Sequence, residues 1–232
     1  MATHPKVTQA YTTATKEIKG RLDGHYQHEG VKWMLSREMM YEPKGGILAD
    51  DMGLGKTMQT IATMRGNPQT TLIISIVATV AQWRDALFQF GDFKPILVNP
   101  SFKGILPDLT ETSVVLTTYS CFQAQRPPPC FSHIHWGRII LDEGHTIKNA
   151  SSKTYKEISK LQSEIKWILS GTPVQNNMKE LLTLTRWIGY QEDDMEEITQ
   201  TLILRRTQEE QGTSNPRLAL PPLDTKVIYL EF

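Results

Sequence analysis

Apolar positions along the chain fall into short continuous blocks at 46–49, 72–77, 96–98, 114–117, 138–141 and 167–170. Blocks of this kind, rather than strict alternation, are what strands covered on both faces require. Between them, apolar residues recur at helical spacing over 56–64, 80–90, 153–161 and 178–188. Strand and helix blocks in alternation predict an α/β fold: three layers, with a central, mostly parallel sheet flanked by helices. Ligands of such sheets bind just beyond the carboxyl ends of the strands, so the residues that follow each block are the place to look for chemistry.

The remaining segments divide the chain. Residues 1–21 are polar, rich in Thr and Lys, and read as an extension; 22–207 hold the α/β pattern; 208–222 are polar and then proline-rich, as in a linker. Residues 225–232 alternate like a strand with nothing after it to pair with, which predicts the opening of a further domain. Arg126-Pro127-Pro128-Pro129 reads as a surface loop, because three prolines supply no backbone donors. Glu192, Asp193, Asp194, Glu196 and Glu197 read as the solvated start of a helix.

Composition narrows the function classes. The longest apolar run, 72–80, is broken by Ser75 and Thr79 and falls short of the ~20 residues that span a bilayer, so no membrane role is expected. No secretory signal is visible in 1–19, which predicts the cytosolic or nuclear side. The 232 residues carry zero formal net charge, so nucleic acid would have to be held by a local patch. Cys121 and Cys130 fit neither a redox nor a zinc spacing and read as reduced thiols. The His25/His28 and His133/His135 pairs lack a completing cluster and read as hydrogen-bonding surface residues. Trp83, Trp136, Trp167 and Trp187 lie in or beside the predicted elements, where core packing is expected.

Three segments carry chemistry. Asp51-Met52-Gly53-Leu54-Gly55-Lys56-Thr57 follows a predicted strand and opens a predicted helix, the context of a phosphate loop. Its glycines let backbone N–H groups turn around an anion, Lys56 reaches the β/γ-phosphates and Thr57 offers a hydroxyl to Mg²⁺. Asp50 stands where the first glycine of such loops belongs. The second segment, 138–141, ends in Asp142 and Glu143, which places a metal-holding carboxylate and a water-orienting one at the sheet edge. The third, Ser170-Gly171-Thr172-Pro173, follows the last strand block.

Taken together, these segments resemble the superfamily 2 helicase-like ATPases, specifically the Swi/Snf-type DNA translocases. Asp50 to Thr57 resembles their motif I, Leu141-Asp142-Glu143-Gly144-His145 their motif II and Ser170 to Asn177 their motif III. Gln27-His28-Glu29-Gly30-Val31 resembles the adenine-reading Q motif, Gln82-Trp83 the end of motif Ia, Thr117-Thr118-Tyr119 motif Ib, and Leu204-Arg205-Arg206-Thr207 the arginine segment leading to a second lobe. Ile76 and Ala78 depart from the family's usual Pro and Ser, Gly144 from its usual Ala, and Gln208 from its frequent Lys. The Asp-Glu-Gly-His form and the compact spacing resemble the Rad-type branch or a baculovirus transactivator-like relative.

The resemblance implies a RecA-like lobe that binds ATP and Mg²⁺, with Gln27 on adenine, residues Asp51 to Thr57 on phosphates, Thr57 and Asp142 on the metal, and Lys56, Asp142 and Glu143 catalytic. It implies coupling of motif II to motif III through His145, Ser170, Gly171 and Thr172. Thr117, Thr118, Lys148 and Asn149 are its candidates for contact with duplex DNA. The implied activity is DNA-dependent ATP hydrolysis that remodels protein–DNA complexes in the nucleus, a host nucleus if the source is viral, with DNA-bound proteins as partners. The family's motifs IV to VI are not among these residues, so the resemblance implies a second lobe outside this chain, and this lobe alone is expected to turn over weakly. The alternatives are a binding module without turnover and a strand-separating helicase.

Overall fold

The computed structural model describes residues 4–124, 128–171 and 178–214. Thr172 to Asn177, Arg126 and Pro127 of the expected surface loop, and the strand expected at 225–232 lie outside the described residues.

Helix α1 (Pro5–Glu17) starts with Pro5 at its first position, where a missing N–H costs nothing, and His4 accepts the Lys6 N–H. Val7, Ala10 and Ala14 recur on one face and are buried against Leu35 of α2 (Gly24–Met40) and Ala62 of α3 (Lys56–Gly66), with β1 (Gly45–Leu48) between those two helices in sequence. The segment expected as a polar extension is thus a packed helix. Its small buried face, two alanines and a valine, is too weak an apolar signal to stand out among threonines and lysines.

The chain continues through β2 (Thr71–Ser75), α4 (Val80–Gly91), β3 (Ile96–Val98), β4 (Val114–Thr118), α5 (Ser120–Gln123) and β5 (His135–Asp142). Then come α6 (Lys153–Ile158), β6 (Gln162–Leu169), α7 (Met178–Ile188), α8 (Met195–Glu197), β7 (Ile203–Leu204) and α9 (Gln208–Ser214). Strands β5 and β6 begin earlier than expected. Their first residues are polar, and the ladder, His135 opposite Gln162, is carried by backbone pairing.

The seven strands among the described residues are all parallel, in the order β3-β4-β2-β5-β6-β1-β7. Successive side chains alternate between two apolar layers: Leu72, Ile74, Ile139 and Leu141 face Phe122, Ile158, Leu184 and Trp187, whereas Ile73 and Ile140 face Ile61, Trp83 and Leu87. Trp83, Trp136, Trp167 and Trp187 are all buried, as their positions predict.

A buried charge pair ties the layers together. Glu38 of α2 accepts Arg138 Nε at 2.7 Å on one oxygen and Arg138 Nη2 at 2.6 Å on the other, with Trp167 Nε1 and Asn67 Nδ2 each adding a bond at 2.8 Å. Both side chains are essentially inaccessible, so α2 is bound to the β5–β6 pair that carries the site.

Candidate functional site

Strand order assembles the site. Leu48, Leu169 and Asp142 lie in register across β1, β6 and β5. The loop after β1, Ser170-Gly171 after β6 and Asp142-Glu143 at the end of β5 therefore emerge side by side. An open cavity of about 580 Å³ lies there, lined by Met52, Gly53, Gly55, Lys56, Thr57, Trp83, Asp142 and Glu143, among others.

The loop has the backbone that its glycines allow. Gly53 and Gly55 sit at φ +85° and +76°, and Gly55 is the N-cap of α3, so the helix N-terminus opens onto the cavity. Lys56 Nζ donates to the carbonyls of Asp50 at 2.7 Å and Asp51 at 3.2 Å. Burial lowers its pKa, against the opposing pull of Glu143, Asp50, Asp142 and Asp51. An added Cβ on Gly171 would lie 3.4 Å from Lys56 Nζ, so Gly171 brings the motif III strand end against the lysine.

Asp50, the departure from the glycine pattern, is fully buried and ion-paired with Arg206. Arg206 Nε donates to Asp50 Oδ1 at 2.9 Å, Nη2 to Asp50 Oδ2 and to Gln59 Oε1 at 2.8 Å, and Nη1 to the Tyr26 carbonyl. Gly30 makes room for this network: a Cβ there would fall 1.8 Å from Gln59 Oε1.

Asp142 is held by residues that sequence reasoning did not assign to it. Its Oδ2 accepts from Ser75 Oγ at 2.7 Å, Trp83 Nε1 at 2.9 Å and Thr79 Oγ1 at 3.2 Å. With Oδ2 so engaged, the carboxylate faces the cavity that Thr57 also lines. An oxygen-only pair of this kind suits a hard, hydrated cation such as Mg²⁺. Beneath it Tyr119, buried, donates its hydroxyl to the Asp142 carbonyl at 2.8 Å.

Glu143 adopts φ 50°, ψ 48°, a left-handed conformation that costs a non-glycine residue about 1 kcal/mol. His145 Nδ1 is 3.3 Å from Glu143 Oε2 and 3.4 Å from Ser170 Oγ, so it bridges the ends of β5 and β6. His145 and Ser170, both named above for coupling, are thus brought together, and Thr172 lies outside the described residues. Gly144 packs against Ile168, whose Cγ2 would be 2.6 Å from an added Cβ.

Other expected residues fall elsewhere. Gln27 is buried and does not line the cavity; its Nε2 donates to Leu54 O at 3.2 Å and its Oε1 accepts the Asp23 N–H at 2.7 Å. Thr117 is 1 % exposed and donates to Val98 O at 2.7 Å, so the core, and not a surface for DNA, takes its hydroxyl. Thr118 is half-buried and bonded to Ser120 at 2.5 Å, Lys148 is paired with Glu180 at 3.2 Å, and Asn149 is exposed. Among the described residues no cluster of three His, Cys, Asp or Glu groups offers a metal site, and no helix is long and apolar enough to cross a membrane.

Comparison with known proteins bears on the family and the fold. The family model "SNF2-related domain" matches residues 26–193. The chain is 37% identical over 180 residues to the SWI/SNF chromatin-remodeling complex subunit snf22 of Schizosaccharomyces pombe, covering 70% of this chain and 10% of that protein. It is 27% identical over 268 residues to the DNA repair protein rad8 of the same yeast, covering 88% and 23%. The Sulfolobus solfataricus SWI2/SNF2 ATPase core in complex with dsDNA superposes with a TM-score of 0.69 at 27% identity, over 86% of this chain and 47% of that one. The chain thus spans a quarter or less of these two yeast relatives and about half of the solved core. It folds as a RecA-like lobe and belongs to the SNF2-related family of helicase-like ATPases.

Proposed function

We propose that the chain carries the ATP-binding lobe of a DNA-dependent ATPase that moves along duplex DNA and alters protein–DNA contacts in the nucleus. The observation that carries this reading is the convergence of Lys56, Thr57, Asp142 and Glu143 on one cavity at the carboxyl edge of the sheet. Loop amides and the α3 N-terminus bind the phosphates, and Lys56 exchanges its two carbonyl partners for phosphate oxygens. Thr57 and Asp142 would hold Mg²⁺, which when bound would supply positive charge against the phosphate oxygens. Glu143 orients a water for in-line attack on the γ-phosphorus and takes its proton on a carboxylate oxygen, as the bond to the β,γ-bridging oxygen breaks and ADP leaves. Ser170 and His145 link that carboxylate to the neighbouring strand. Thr118, Lys148 and Asn149 remain as candidates for the DNA face.

Calorimetric titration of the chain with ATP and Mg²⁺, and DNA-stimulated hydrolysis by the chain alone and joined to a second lobe, test the reading. Binding by the wild type, abolished by Lys56→Ala, is expected. The two-lobe form should hydrolyse with DNA stimulation, and Glu143→Gln should lower its kcat by about 10²–10⁴-fold while ATP still binds. Strong DNA-stimulated turnover by the chain alone sinks the one-lobe assignment. A two-lobe form no faster than its Glu143→Gln variant sinks the enzyme assignment and leaves a binding module.

A further inference from the structure

The phosphate loop is gripped from its outer side by residues that the proposed hydrolysis does not use. β1 has β6 on one flank and β7 on the other, and the chain after β7 stays in step with the loop. Ala49 N donates to Leu204 O at 2.7 Å and Asp51 N to Arg206 O at 3.0 Å. Gln208 N then donates to Asp51 Oδ2 at 3.1 Å and Gln208 Nε2 to Met52 O at 2.6 Å.

A loop that turns its N–H groups toward an anion turns carbonyls outward, and outward carbonyls need donors. Leu54 O receives Gln27 Nε2 and Gln59 Nε2, both at 3.2 Å, and Met52 O receives Gln208. Arg206 takes the other end of the Gln59 amide at 2.8 Å and so fixes which way its donor points, onto Leu54 O and Asp50 Oδ2. The Asp50 carboxylate, in turn, has its charge balanced by that same guanidinium.

We propose that Arg206 and Gln208 are positioning residues that pre-order the phosphate loop for a nucleoside triphosphate, and that loop occupancy and the conformation of segment 204–211 are thermodynamically linked. The linkage is reciprocal: whatever tightens this segment tightens nucleotide binding, and bound nucleotide tightens the segment. The proposal rests on the nucleotide reading of the loop and adds a second group of residues to it, on the flank opposite the catalytic carboxylates.

Gln208 makes the test clean, since its side chain is only half-buried and contributes little to the core. Q208A is expected to melt with the wild type yet bind Mg²⁺ and ATP about five- to tenfold more weakly, the scale of one lost hydrogen bond to a loop carbonyl. Q208E, which sets an acceptor against the Met52 carbonyl, should bind more weakly still, and Q208K, which keeps a donor, should recover affinity. R206K retains charge but loses the planar fork and is expected to weaken binding as well. Hydrogen exchange supplies the readout that fold stability does not move: ATP should slow exchange at 204–211 in the wild type and not in Q208A. In the free protein, amides 52–56 should exchange faster in Q208A by about threefold or more. Equal affinity in all Gln208 variants, or unchanged exchange at 52–56, overturns the proposal. Absence of ATP binding by the wild type overturns the nucleotide reading instead, and the free-protein exchange still decides whether Gln208 orders the loop.

Discussion

Single atoms decide several features of the site. Gly144 is required by a neighbour rather than by its backbone angles, since a methyl group there would meet the β-branch of Ile168. Gly144→Ala should therefore lower unfolding free energy by about 1–3 kcal/mol, and Ile168→Leu, which removes that branch, should restore part of it in urea titrations. Tyr119 offers a pH signature. Burial first, then the charges of Asp142 and Glu143, push its pKa well above the usual value near 10. The folded state thus keeps a proton that the unfolded state releases, so this contribution is full below pH ~10 and fades as pH rises toward the folded pKa. Tyr119→Phe should cost about 1 kcal/mol at neutral pH and give a flatter decline of stability above pH 10.

At the scale of elements, the Glu38–Arg138 pair is what holds α2 to the strand bearing Asp142. Removing one partner leaves a buried charge alone, and Glu38→Ala should destabilise by about 3–5 kcal/mol, measured by denaturant unfolding. The sequence displayed the strands that this pair joins but not the pair itself, because Arg138 opens a β-branched run and reads there as a strand residue like any other. Elements announced by long apolar blocks, such as β2 and β4, were legible to within a residue or two. Elements whose stability comes from docking were not: α1 has a narrow apolar face, β7 is two residues long, and α9 lies in a stretch that composition marks as linker. The same division runs through the site. Lys56, Asp142 and Glu143 are legible from local pattern, whereas Ser75, Thr79 and Trp83 reach Asp142 only through tertiary contact, over 59 residues or more of chain.

For the whole molecule, the apolar cluster beneath α1 means that the fold extends beyond the sheet and its two helical layers. α1 covers Val31, Leu35 and Ala62, so deleting residues 1–19 should expose that surface and lower stability by several kcal/mol, at about 25 cal/mol per Å² of apolar area uncovered. Nucleotide binding should act in the opposite direction: at a hundredfold excess over Kd, ATP with Mg²⁺ should add about 2.7 kcal/mol, read as a rise in Tm that Lys56→Ala abolishes.

Trp83 gives the protein an optical probe of its own site. Its indole N–H ends on Asp142 Oδ2, the carboxylate assigned to the metal, while its ring is buried beside Leu87 and Ile61. Drawing negative charge from that oxygen changes the electric field along the indole, and the emission maximum of a buried tryptophan shifts with that field. Of the five tryptophans in the chain, Trp83 is the one bonded to a carboxylate of the cavity among the described residues. A Mg²⁺-dependent change in fluorescence that vanishes in Trp83→Phe would let occupancy of the metal position be followed with no label added.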